Sequence, residues 1–112
     1  MAELTLTDVF PGATQTSSSV TIPKSALPTL TALSENKVEG ILAAIMIRSA
    51  EVLTPDARDL DPIARSIAVE PGSPRVERTY DASNNAVNWL VRELTMAFYE
   101  GYIESPWDAD NY

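Results

Sequence analysis

The stretch SENKVEGILAAIMIRSAEVL, residues 34–53, decides the fold of this chain. Ser34 is a suitable N-cap, and Glu35 follows in the first turn, where the helix dipole favours an anion. Pro55 ends the segment because it disfavours helical backbone at the preceding residue. Apolar residues recur at helical spacing and form one stripe: Val38, Ile41, Leu42, Ile45, Val52 and Leu53. The pattern predicts one amphipathic α-helix of about 30 Å.

The opposite face of this helix is also uncharged, which is unusual for a surface that faces water. It carries Gly40, Ala43, Ala44, Ile47 and Ala50. Glycine in a helix interior costs on the order of 1 kcal/mol relative to alanine, so Gly40 suggests that a neighbour approaches closely. Two interpretations remain open: a segment of the same chain covers this face, or another protein subunit packs on it. We therefore predict interface residues at Gly40, Ala43, Ala44 and Ile47.

The composition excludes several classes of function. The chain has no cysteine and no histidine, which excludes thiol chemistry, a Ser-His-Asp or Cys-His catalytic arrangement and an ordinary zinc site. Its formal charge of −8 disfavours binding to a nucleic-acid backbone. The sequence has no apolar run of about 18 residues, and its start lacks a signal-peptide pattern, so we expect no membrane association. These features predict a non-enzymatic protein without a cofactor or metal.

Residues 1–19 are predicted to form an extended arm or a flexible leader. The sequence AELTLTDVF, residues 2–10, alternates leucine with threonine, which is typical of a short strand, and Pro11-Gly12 breaks the pattern. The polar run ATQTSSS, residues 13–19, is typical of a mobile loop. Two interpretations remain open for this segment: a disordered tail, or an arm that becomes ordered on a neighbouring subunit.

Residues 20–103 are predicted to form one α+β domain, in which the long helix packs on a small, mainly antiparallel sheet. Residues 63–70 and 75–80 alternate in polarity, which is typical of strands. Pro71-Gly72 stands between them and is a favourable turn dipeptide. The pattern therefore predicts a β-hairpin over these two segments.

Two further segments have weaker patterns. Residues 54–62 are an acidic connector in which Thr54 and Pro55 favour a short helical turn. The aspartates of this connector lack the glycine and the terminal glutamate of a calcium-binding loop, so we interpret them as solvated. Residues 87–103 fit a helix by periodicity and a strand by their aromatic and β-branched content, and both alternatives remain open.

Residues 104–112, ESPWDADNY, form an acidic tail with two aromatic side chains. An exposed tryptophan beside acidic residues is a frequent binding hot spot. Trp107 and Tyr112 are therefore predicted contact residues. The alternative is that Trp107 folds back onto its own domain.

The order of segments resembles that of the small accessory structural proteins of tailed phages and prophages, including those that infect cyanobacteria. The resemblance spans residues 18–104 and is carried by SSSVTIPKSALPTLT, ENKVEGILAAIMIRSAEVLT and RELTMAFYEGYI, followed by an acidic end. Such proteins are capsid cement or decoration proteins, neck adaptors and tail components. The resemblance implies a strand over residues 88–99, an N-terminal arm ordered by a neighbour, and no catalytic residues.

The expected function is that of a virion structural protein, a capsid cement protein that bridges neighbouring subunits. Its partners would be a major capsid or tail protein and further copies of itself, in a homo-oligomer. Two alternatives remain open: a head–tail or tail assembly component, and a homodimeric adaptor in the cytoplasm. An enzyme is not expected, because no phosphate loop, metal cluster or activated nucleophile accompanies carboxylates such as Glu93 and Glu100.

Overall fold

A computed structural model describes residues 4–101 and 106–112 and shows the predicted α+β architecture. The helices are α1 (Leu6–Val9), α2 (Val38–Val52) and α3 (Pro55–Leu60), with short 3₁₀ turns at Lys24–Ala26 and Ala109–Asn111. The strands are β1 (Thr14–Gln15), β2 (Val20–Thr21), β3 (Ile67–Pro71), β4 (Arg75–Tyr80), β5 (Ala86–Val91) and β6 (Leu94–Phe98). All strand pairs are antiparallel and lie in three two-stranded sheets.

The long helix α2 begins later than its sequence predicts. Lys37, rather than Ser34, occupies the N-cap position and makes no side-chain capping bond. The Asn36 side chain accepts from the N–H of Leu33 at 3.2 Å and donates to the carbonyl of Thr31 at 2.8 Å. These local bonds favour a turn over helix before residue 37, because Asn competes well for nearby backbone groups. The helix ends at Val52, as the position of the following proline predicts.

The N-terminal segment packs against α2 and forms the main core with it. Buried residues from both parts make up this core: Val9, Phe10, Ala13, Ala26, Leu27 and Ala44. Ile41 and Ile45 of α2 pack against it, whereas Val38 and Leu42 are exposed, so only part of the predicted stripe faces inward. The guanidinium of Arg48 also donates a hydrogen bond to the carbonyl of Val9. This bond holds the backbone at Val9, and with it the N-terminal segment, against α2.

The predicted strand over residues 2–10 is wrong, because its described part contains α1. The N–H of Thr5 donates to the Asp8 carboxylate at 2.8 Å, as in a capping box. Leu6, Val9 and Phe10 then share one face at helical spacing, and that face is the one that reaches the core. The Leu/Thr alternation is compatible with both structures, and burial of Val9 and Phe10 decides between them.

The predicted hairpin between residues 63–70 and 75–80 is also wrong in its pairing. β3 pairs with β6, and β4 pairs with β5 across the turn at residues 81–85. The sequence leaves the segment 87–103 open between helix and strand, and its residues 87–91 and 94–98 belong to β5 and β6; residues 102 and 103 lie outside the described residues. Pro71-Gly72 does not reverse the chain. It separates β3 from β4, which follow one another along one side of the paired strands, while β5 and β6 form the other side. The four strands therefore form one long two-stranded ribbon.

A one-residue mismatch divides this ribbon into two halves. The pairs Pro71–Leu94 and Arg75–Val91 flank the division, so three residues on one side oppose two on the other. The N–H of Gly72 donates to the carbonyl of Glu93 at 2.9 Å and bridges the gap. Such a bulge bends a strand and increases its twist. The proximal half (β3 and β6) and the distal half (β4 and β5) are thus separate units.

The proximal half packs on the helical body, and the distal half extends into solvent. Val69 is buried, and its N–H donates to the carbonyl of Leu53 at the end of α2 at 2.7 Å. All six residues of β4 are exposed. The described chain measures 54 × 36 × 27 Å and has a radius of gyration of 17.5 Å. A compact domain of this length would have a radius of about 13 Å, so the ribbon makes the molecule elongated.

We expect loss of the α3 cap to destabilise the region where the body meets the ribbon. The Thr54 hydroxyl accepts from the N–H of Ala57 at 3.1 Å, and Pro55 occupies the first helical turn, as predicted. Thr54→Ala should lower the free energy of unfolding by about 1 kcal/mol, whereas Thr54→Ser keeps an accepting oxygen and should cost less. Urea denaturation followed by circular dichroism measures both. Equal losses in the two variants would show that the hydroxyl does not act as a cap.

Candidate functional site

The small-residue face of α2 is divided between the core and the surface. Ala44 is only 2% exposed and lies under the N-terminal segment. The interpretation that the same chain covers this part of the face is therefore correct for Ala44, and its predicted role as an intermolecular contact is wrong. A methyl group built at Gly40 would lie 3.7 Å from the Leu30 side chain, an ordinary contact distance. Gly40 is therefore not required for the close approach of a neighbour.

Ala43 and Ile47 lie where the body meets the ribbon. They line an open groove of about 550 Å³ together with residues of β3, β6 and the bulge between the ribbon halves. The other residues of the groove are Met46, Pro71, Gly72, Pro74, Arg92, Glu93 and Leu94. Ala43 is exposed and Ile47 is partly exposed, so these two predicted interface residues remain available for contact. The groove is apolar on its helical side and carries an Arg and a Glu at its edge.

Because Gly40 has room for a side chain, we expect Gly40→Ala to stabilise the protein. The substitution removes the conformational freedom of glycine from a helix interior and should raise the free energy of unfolding by roughly 0.5–1 kcal/mol. Gly12 provides the contrast: its φ of +83° and the Pro23 side chain 3.2 Å from a built Cβ make Gly12→Ala destabilising. Chemical denaturation of both variants measures the difference. Destabilisation by Gly40→Ala would contradict the packing described above.

The C-terminal aromatic residues fold back onto β6. The rings of Trp107 and Phe98 meet edge-to-face with centroids 4.9 Å apart, and Tyr112 lies 5.1 Å from the same Phe98 ring. The Asn111 side-chain amide donates to the Glu100 carboxylate at 3.0 Å and holds the final turn. The pKa of the Tyr112 hydroxyl is raised by partial burial and by the nearby Glu100 carboxylate.

Trp107 nevertheless remains 76% exposed, so the tail presents an aromatic surface while it packs on its own domain. The two predicted contact residues Trp107 and Tyr112 lie together, with ring centroids 6.3 Å apart. They belong to a different surface from Ala43 and Ile47. Glu104, also assigned to the acidic tail, lies outside the described residues.

The distal ribbon, formed by β4 and β5, carries several exposed apolar side chains, and the sequence pattern does not identify it as a site. On one face, Val76 and Leu90 oppose each other and are 70% and 58% exposed, and Tyr80 on the same face is 62% exposed. On the other face, the Trp89 indole N–H donates to the Thr79 hydroxyl at 2.7 Å, and the ring is half exposed. Neither face is covered in the way that one face of a sheet is covered in a folded domain.

Charged residues of the ribbon balance one another, unlike those of the body. Residues 72–93 contain three arginines and three acids, so their net charge is zero, and the remaining residues carry the whole −8. Arg75 bonds Glu93, and it also contacts Glu77 at 3.2 Å; both carboxylates raise the pKa of its guanidinium. These pairs are exposed and add little stability. The end of this acidic protein therefore has no net charge and carries exposed apolar side chains.

The Asp81 side chain holds the turn of the distal ribbon. Its carboxylate accepts from the N–H groups of Asn85 and Ser83, both at 2.9 Å, and these bonds hold its pKa below the ordinary value. A lowered pKa means that the turn is stabilised above the ordinary pKa and loses this stabilisation as pH falls through the lowered value.

We therefore expect the amide resonances of Ser83 and Asn85 to shift together as Asp81 takes up a proton. The midpoint, measured by nuclear magnetic resonance, should lie below the ordinary aspartate pKa of 3.8. Asp81→Asn keeps an accepting oxygen and should abolish this titration while the turn persists. A midpoint at or above the ordinary value would contradict the assigned bonds.

Within the described parts of the chain, no group of three or more acidic residues is arranged to hold a metal ion. No helix in these parts is long and apolar enough to cross a membrane. No family model matches the chain, and comparisons with curated proteins and with solved structures find no similar protein. The candidate site is therefore defined by geometry alone: an exposed apolar ribbon with a groove at its base.

Proposed function

We propose that this chain is a non-enzymatic structural subunit of a virion, a capsid cement protein whose ribbon binds neighbouring protein subunits. The observation that supports this proposal best is the distal ribbon, which carries exposed apolar side chains on both faces. The sequence resemblance to phage accessory proteins is the reason for choosing a virion as the particle. The distal ribbon is the surface that we propose binds neighbouring subunits.

An isolated two-stranded hairpin is at best marginally stable in water. Among the described residues, the distal ribbon is stabilised by its strand pairing, the Asp81 turn bonds, ion pairs of Arg75, and the Trp89–Thr79 and Arg78–Asn88 bonds, and these side-chain bonds are all exposed to solvent. Burial of an exposed apolar side chain such as Val76 or Leu90 on a partner contributes roughly 1.5–3 kcal/mol. A partner surface would therefore stabilise the ribbon and gain affinity from it at the same time.

The charge distribution also favours contact through the ribbon. The acidic body repels other acidic surfaces, whereas the neutral ribbon reaches away from it. Cement proteins act through many weak contacts that are made simultaneously on one particle, so modest affinity per ribbon is sufficient. The adaptor alternative relied on the small-residue face of α2, and burial of Ala44 removes the centre of that surface.

The proposal is tested on tailed-phage particles from the source of this sequence. Virions purified by gradient centrifugation are analysed by mass spectrometry for this chain and for the major capsid protein. We expect the chain in a fixed, high ratio to the major capsid protein. A few copies per particle would instead indicate a head–tail or tail component, and absence from particles would refute the proposal.

Substitutions in the ribbon should weaken binding to particles that lack the protein. We expect the triple variant Val76→Ser, Tyr80→Ser, Leu90→Ser to sediment with such particles at least tenfold less tightly than the unmodified chain, because it removes one apolar face. The matched control is Val38→Ser with Leu42→Ser, which removes exposed apolar residues from the body and should bind normally. Equal binding by the ribbon variant would assign the contact to another surface.

A further inference from the structure

We propose that the outer edge of β5 pairs antiparallel with the same edge of a second copy of this chain. The two ribbons would then form a four-stranded sheet across a two-fold axis. This inference goes beyond the proposed function, because it concerns self-association and holds whether or not the protein binds a particle.

The two edges of the distal ribbon differ in how they are protected. The edge formed by β4 carries Arg75, Glu77 and Arg78, and Pro71 and Pro74 precede it. Charges and prolines at an edge prevent further strand pairing. β5 reads AVNWLV and contains no charged residue, no proline and no glycine. Among the described residues, no strand lies beside its outer edge.

An edge of this kind favours pairing with another strand. Alternate residues of an edge strand direct backbone N–H and C=O groups outward, where they can bond a neighbour. β5 is rich in β-branched, aromatic and other apolar residues, and uncharged segments of this composition readily add strands. In natural sheets such an edge is usually short, charged or covered. The ribbon therefore has one edge protected by charges and prolines and one edge without them.

In one antiparallel register, two copies of β5 pair side chains that are compatible with each other. Opposed residues of an antiparallel pair have their side chains on the same face of the sheet. A two-fold axis perpendicular to the sheet keeps this arrangement only if it passes beside a residue of β5, and not between two residues. A centre at Asn88 pairs Asn88 with its own copy, Val87 with Trp89, and Ala86 with Leu90. The pairs are then polar with polar, β-branched with aromatic, and small with large, which are favourable cross-strand combinations.

The charge distribution allows a second copy of the chain to occupy this edge. The bodies of two copies carry the whole net charge of −8 each and repel one another, whereas residues 72–93 are neutral. Antiparallel pairing of β5 directs the two bodies to opposite ends of the new sheet, because Val91 of each copy lies towards its own body and Ala86 towards its turn. The contact therefore brings together the neutral surfaces and separates the acidic ones.

Disulfide trapping tests the pairing and its register. The natural chain has no cysteine, so Asn88→Cys introduces a single thiol at the predicted axis. Opposed residues of an antiparallel pair have Cα atoms about 4.5–5.5 Å apart, within the range that a disulfide requires. We expect mild oxidation to convert most of this variant to a covalent dimer. The control is Arg78→Cys, which lies directly opposite Asn88 on the protected strand, away from the axis, and should form no covalent dimer on oxidation.

A second pair of variants tests the edge without oxidation. Trp89→Lys places a charge on the unprotected edge, opposite Glu77 of its own ribbon, which helps the hairpin to persist. We expect its dimer dissociation constant, measured by analytical ultracentrifugation, to rise at least tenfold. Val76→Lys makes a comparable change on the protected strand and should leave the dimer largely intact. A monomeric unmodified chain at high concentration, or equal trapping of Asn88→Cys and Arg78→Cys, would overturn the proposal.

The outcomes separate this inference from the proposed function. A dimer that is trapped through Asn88→Cys but does not occur in virions supports the edge pairing and refutes the cement role. A monomer that binds particles refutes the edge pairing and leaves the cement role in place.

Discussion

The hydrogen bond between the N–H of Val69 and the carbonyl of Leu53 joins the two halves of this molecule. Leu53 is the first residue after α2, and Val69 is 1% exposed in the middle of β3. Burial of Val69 and this bond hold β3 against the end of the helix. β6 pairs with β3, and the distal ribbon continues from both strands. Together with the packing of α3 on β3, this contact positions the ribbon on the helical body.

Two strands alone cannot enclose a hydrophobic core, and this constraint explains why the ribbon has two such different halves. Helices α2 and α3 cover the proximal half and bury Ala68 and Val69. Beyond the bulge at residues 72–74 the helices end, and the apolar side chains of the distal half face water. A chain of this length could bury more of its surface than this one does. The exposed apolar surface is thus a feature to be explained by a partner, and the proposals above assign its face and its edge to different partners.

The small residues of α2 show how a helix face can be used internally. Ala44 admits the N-terminal segment, where Val9 and Phe10 are packed, and Arg48 holds the backbone of that segment. Ala43 and Ile47 lie around the helix from this contact and border the ribbon groove. Small side chains at one face of a helix are therefore not evidence of an intermolecular contact here, because the same chain supplies most of the packing.

Local patterns in the sequence determined the α+β class, the existence and end of α2, and the short helix that begins at Thr54-Pro55. Each of these depends on periodicity, or on a cap or proline that acts within a few residues. The sequence leaves open whether the acidic tail folds back, and the contacts of Trp107 and Tyr112 with Phe98 show that it does. Tertiary structure alone decided the strand partners and the burial of Ala44, whereas α1 combines a local capping box with the burial of Val9 and Phe10. Pairing depends on contacts between residues distant in sequence: β3 meets β6 because both reach the helical body, and no local signal at Pro71-Gly72 reports this. The sequence does not reveal the exposed ribbon for the same reason. The alternating pattern of a strand is identical whether its apolar face is buried or faces water.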